Sequence, residues 1–125
     1  RAIDLFKHIE TPTTNDIDLL KIGRHFRLDQ DVKLVVGRNK NENEMMCALA
    51  LPNDILLEAK EHVGPTTLLR GNYIEKYIEF SAKITLRYSD APKNETGVII
   101  VHKNEVVTEI SVDRAEEISY LQFRI

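Results

Sequence analysis

The chain has a single cysteine, Cys47, and no tryptophan. One thiol excludes an internal disulfide framework, and such sparse cysteine suits a reducing compartment, read here as cytoplasmic. No apolar run approaches the ~20 residues of a membrane span, and no signal-peptide pattern is present, so no membrane partner is expected. Basic charge is also short: 17 Lys and Arg stand against 20 Asp and Glu, a formal net charge of −3. That balance excludes a strongly basic, non-specific nucleic-acid binder, and DNA is not an expected partner; charges of one sign can still gather on one face.

Catalytic motifs are missing too. His8, His25, His62 and His102 stand alone, without a second ligand at metal spacing. Neither a Gly-x-Ser-x-Gly elbow nor a Walker-type phosphate loop occurs. Cys47 lies among Met45, Met46, Ala48 and Leu49, which predicts an inert core thiol. The chain by itself is therefore read as non-catalytic, with no metal and no cofactor.

What is present suffices for one folded domain: 125 residues, 42% hydrophobic and 30% charged. Because the chain begins at Arg1, it reads as a piece of a larger protein or one trimmed at its start. Residues 1–15 read as a linker or N-terminal extension, since Thr11-Pro12-Thr13-Thr14-Asn15 follows a short apolar patch. Residues 16–125 read as the compact domain.

Residues 17–28 and 32–36 predict an antiparallel pair turning at Asp29-Gln30-Asp31, with a bulge at Gly23. Residues 40–50 predict a helix, followed by short apolar runs at 54–59 and 66–70 around the Gly64-Pro65 loop. Residues 73–88 carry the clearest helical periodicity, with Asn72 and Glu75 at capping-box spacing. Val98–Val101 and Val106–Val112 predict a hairpin, and 120–125 a last strand. The fold class is α+β: a small domain with antiparallel sheet of about six or seven strands and two main helices.

The most informative stretch is Gly37-Arg38-Asn39-Lys40-Asn41-Glu42-Asn43, where a strand hands over to a helix. Asn39 and Glu42 have capping-box spacing, and the exposed N–H groups of a helix start welcome anions. Cations recur beside turns: Arg24, His25 and Arg27; Arg38 and Lys40; Lys60, His62 and Arg70; and Lys76, Lys83 and Arg87 along the long helix. Two readings stay open from charge alone. The clusters converge into a phosphate-contacting patch, or they form solvated faces diluted by Glu58, Glu61, Glu75 and Glu79.

The order of the pieces favours the first reading. Val35-Val36-Gly37-Arg38-Asn39 with Glu42-Asn43, then Asn53-Asp54, Gly64-Pro65-Thr66-Thr67, a helix carrying Ala82, Tyr88-Ser89-Asp90-Ala91 and a Val-rich hairpin resemble the NFACT-R domain, the proposed RNA-binding module of NFACT proteins. The resemblance spans about residues 17–112. With Ile22-Gly23-Arg24-His25-Phe26-Arg27-Leu28 it is closest to the branch at the C-terminus of ThiI-like or thiouridylase-like proteins, where the domain follows an ATP-pyrophosphatase domain implicated in tRNA sulfur modification. The chain departs from the pattern at Ile55-Leu56-Leu57, where an aromatic residue and a His are typical, and at Thr66-Thr67, where a His is common. Roles of those histidines do not carry over.

The resemblance implies a non-catalytic accessory domain that binds RNA, with tRNA the expected RNA, beside a catalytic domain in cis; any ATP would belong to that other domain. The expected RNA contacts are Arg24, His25, Arg27, Arg38, Asn39, Lys40, Lys60 and Arg70, with Asp54, Gly64 and Thr66 as second-tier loop positions. The alternative is an interaction domain that packs on the catalytic domain without touching RNA; it predicts an exposed apolar patch instead of a basic one.

Overall fold

A computed structural model describes residues 1–125. β1 (Arg24–Asp29) and β2 (Val32–Val36) form the expected hairpin through Gln30 and Asp31. Every residue of β2 is buried, because the strand is covered on both faces. α3 (Lys40–Leu49), β3 (Ile55–Ala59), β4 (Thr67–Gly71), a 3-10 turn (Ile74–Tyr77) and α4 (Ile78–Arg87) follow, then the hairpin β5 (Gly97–Lys103) and β6 (Val106–Val112). The strands make one six-stranded antiparallel sheet in the order β1-β2-β4-β3-β5-β6. This is the α+β domain expected from the sequence.

The period-2 alternation of the strands divides the core. Val32, Leu34 and Val36 join Phe26, Ile55, Leu57, Leu69 and Ile99 beneath Ala82, Ile84 and Leu86 of α4. Val35 and Leu68 point the other way and meet Leu19, Ile22 and Met46. A short helix α5 (Glu117–Leu121) closes the first layer with Tyr120, which packs edge-on against Phe26 and Tyr88. No helix is long and apolar enough to cross a membrane.

Several expectations are corrected. Residues 17–28 are not one strand. Thr13 and Asp16 form a reciprocal capping box that starts the helix α2 (Thr14–Leu19), and this local signal outweighs the apolar alternation. Gly23, at φ +75°, reverses the chain into β1 and is not a bulge; the register shift lies between Arg27 and Asp29. Residues 1–15 are packed: α1 (Ala2–His8) buries Leu5, and Asp4 pairs with Arg27 at 2.7 Å. Asn72 does not cap the long helix. Tyr73 turns in the left-handed region, the first turn is 3-10, and Glu75 pairs with Lys103. Residues 120–125 are not one strand: Tyr120 is drawn into the aromatic cluster as part of α5, and only the end of the segment bridges β1, Arg124 opposite Phe26. Cys47 lies on the outer face of α3 and is exposed.

Candidate nucleic-acid interface

The end of β2, the start of α3, the Gly64-Pro65 loop and the end of α4 are tied together by short polar contacts. The Gly37 amide donates to the Thr66 carbonyl at 2.9 Å, and the Thr66 amide donates to Asn43 Oδ1 at 3.0 Å. A Cβ on Gly37 would sit 2.0 Å from Asn43 Oδ1, so any larger residue here would push that side chain off the Thr66 amide. A Cβ on Gly64 would meet Ser89 at 2.7 Å, and the Asp90 amide donates to the Val63 carbonyl at 2.8 Å. These contacts fix the walls of a cleft of about 460 Å³.

Asn39 caps α3, its Oδ1 accepting the Glu42 amide at 2.9 Å. Glu42 does not complete the box. Its carboxylate takes the Arg38 amide at 3.0 Å and the guanidinium through Nε at 2.9 Å and Nη2 at 2.7 Å. The Arg38 side chain is 44% exposed, against 8% for Glu42. The guanidinium, with burial working against it and the Gly23 amide adding to it, holds the Glu42 carboxyl at about 2. Arg38 is thus a tethered cation with one face toward solvent, not a freely swinging one.

Four more cations share this edge. Lys40, exposed in the first turn of α3, lines the same cleft. Arg24 stacks on the Tyr88 ring at 4.7 Å. Arg124 lies over the Phe26 ring at 5.6 Å. Arg1 donates to the carbonyls of Leu20 and Gly23, and burial, then the charges of Arg38 and Arg124, depress its pKa. Two carboxylates belong to this edge: Glu42, bound by Arg38, and Asp90 at the rim.

The predicted residues therefore separate. Arg24, Arg38, Asn39, Lys40 and Gly64 line one cleft, with Thr66 binding Asn43 behind it. His25 lies away from it: alternation along β1 turns it into the second core layer, fully buried, with Nε2 at 2.8 Å from the Ile22 carbonyl. Burial, then the charge of Lys33, drives its pKa down to about 3. Arg27 is held by Asp4. Arg70 is held by Asp54 at 2.7 Å and Asp16 at 3.3 Å, so Asp54 serves to order Arg70 and the Leu51 amide. Lys60 pairs with Glu109 on the β3–β5–β6 face. Arg1, Arg124 and Tyr88 were missed. The first two lie at the two ends of the chain, where no local motif marks them, and Tyr88 carries no charge to mark it. No grouping of three or more His, Cys, Asp or Glu side chains is placed to hold a metal ion.

Comparison with known proteins shows a family and a fold. A family model described as NFACT protein RNA binding domain matches residues 23–124. The solved C-terminal part of the fibronectin/fibrinogen-binding protein from Streptococcus suis superposes with a TM-score of 0.69 at 16% identity, a likeness of fold. The match covers 83% of this chain and 49% of that one, so this chain spans about half the length of the solved neighbour. No curated protein matches the sequence.

Proposed function

The chain belongs to the family of NFACT RNA-binding domains, and from that premise we propose that the cleft at the start of α3 holds the phosphate backbone of tRNA. The gathering of Arg24, Arg38 and Lys40 in one cleft, with Arg1 and Arg124 beside it, carries this reading. In the proposed mode Arg24 and Lys40 meet phosphates directly, and Arg38 offers the solvent-facing side of its guanidinium while Glu42 fixes its direction. The domain would serve, in cis, the ATP-pyrophosphatase domain of a ThiI-like tRNA sulfur-modification protein. The Ile22–Leu28 run supports that finer assignment.

The test is a tRNA mobility shift over a salt series. Wild type is compared with Arg24→Ala, Arg38→Ala and Lys40→Ala, and with Arg27→Ala as the control outside the cleft. Each cleft substitution is expected to flatten the log Kd against log salt slope by about one, and Arg27→Ala to leave it unchanged. Absence of binding at low salt, or equal slopes throughout, would sink the reading. A second reading, docking onto a protein partner, draws support from the exposed Val106 and Val107 on β6. It predicts no salt dependence of that kind.

A further inference from the structure

At the far end of β1 and β2 from the cationic cleft, cations occupy one row of the sheet. Arg27 on β1 faces Lys33 on β2, and Lys33 faces Arg70 on β4. Like charges directly opposite on adjacent strands destabilise a sheet. The flanks are neutralised: Arg27 by Asp4, and Arg70 by Asp54 and Asp16. Lys33 in the middle is not. It is 6% exposed and makes no hydrogen bond or ion pair within the chain, an arrangement that costs stability unless something else meets the charge.

Lys33 lines a cavity of about 370 Å³ roofed by α1 and α2. Burial foremost, then the charge of Arg27 and less strongly that of Arg70, pushes its amine down to about 8, with Asp4 and Asp16 acting the other way. The neighbouring carboxylates are committed elsewhere. Asp4 accepts from Arg27 Nε and Nη2, and Asp16 accepts from Thr13 and Arg70. Arg27 Nη1 and Lys33 Nζ have no partner within the chain, and both residues line the cavity.

We propose that this cavity binds a small organic monoanion through its carboxylate, held by Lys33 Nζ and Arg27 Nη1. The volume lies in the range of small-ligand sites. Asp4 offsets Arg27, and Asp16 and Asp54 offset Arg70, which leaves Lys33 alone to meet an added charge, so a monoanion fits better than a dianion. Glu10 and Asp31, exposed at the mouth, repel a polyanion, which makes this site distinct from the proposed RNA cleft.

The test is an acetate titration followed by amide NMR at neutral pH, with chloride at matched ionic strength as reference. Saturating shifts are expected at Gly71 and Asn72 on the cavity wall, not at Asn39 or Lys40. Lys33→Met is expected to weaken acetate about tenfold, the loss of one charge-assisted hydrogen bond; Lys33→Gln makes the same comparison should the Met variant not fold. Sulfate, a dianion at this pH, is expected to bind more weakly than acetate. Shifts that rise without saturation, or that match in wild type and variant, mean a water-filled cavity and overturn the proposal. Sulfate binding as tight as acetate overturns the monoanion assignment.

Discussion

Replacing Glu42 by Gln tests how the start of α3 is held. The carboxyl stands at about 2 against an ordinary 4.5. At ~1.4 kcal/mol per unit, that difference caps its contribution near neutral pH at about 3 kcal/mol. The partner Arg38 is 44% exposed, and solvent screening brings the figure to about 2 kcal/mol. The sign follows from the folded pKa lying below the unfolded one. The contribution is complete above about pH 4.5 and is lost as pH falls toward about 2. Glu42→Gln does not titrate, so its deficit should be constant from pH 8 to 5.5, shrink below 4.5 and vanish near 2. Urea denaturation at closely spaced pH values reads this directly, and at pH 7 the melting temperature should drop by roughly 5–10 °C. Equal stability at pH 7, or a deficit still intact at pH 3, would refute the role given to the Arg38–Glu42 pair. The same substitution removes a negative charge from the cleft. Under the proposed function tRNA affinity should rise while stability falls, opposite signs that general unfolding cannot produce.

Other substitutions probe neighbouring contacts. Gly37→Ala should cost about 2 kcal/mol through the collision with Asn43 Oδ1; in an Asn43→Ala background the cost should shrink, and an undiminished cost in a thermal melt would contradict that cause. His25 is neutral in the fold, with its pKa near 3 against 6.5. The unfolded chain therefore takes up the proton first, and stability complete above pH 6.5 is lost as pH falls toward 3. His25→Leu should flatten the stability profile between pH 6.5 and 4.5, a window above the one in which Glu42 acts; an unchanged slope there would show His25 to be irrelevant to acid sensitivity.

Local architecture was legible where patterns were strong. The Val-rich hairpin, the Asp29–Asp31 turn and the α3 cap are local, and each formed as the residues dictate. The failures share a cause. Residues 17–19 alternate well enough for a strand, but Thr13 and Asp16 upstream commit them to a helix. Tyr120 to Ile125 alternates too, yet Tyr120 is worth more inside the aromatic cluster with Phe26 and Tyr88. Local charge density picked out Arg24, Arg38 and Lys40, which the fold gathers along one cleft. It could not show that Arg27 and Arg70, two positions apart in pleat or far apart in sequence, point at Asp4 and Asp54 on the opposite side. Cationic residues on a strand divide by parity, and partners distant in sequence decide which remain available.

The pairing of the C-terminal segment has a consequence for protection kinetics. The Arg27 amide donates to the Phe123 carbonyl and the Ile125 amide to the His25 carbonyl, so β1 is outermost in strand order yet bonded on both margins. β6, at the opposite end of the order, pairs with β5 alone. Deuterium should therefore enter the outward amides of β6 quickly, while Arg27 exchanges at the pace of the interior. At high concentration, self-association should begin at Val106–Val112 and not at β1, so the sheet can lengthen in one direction only.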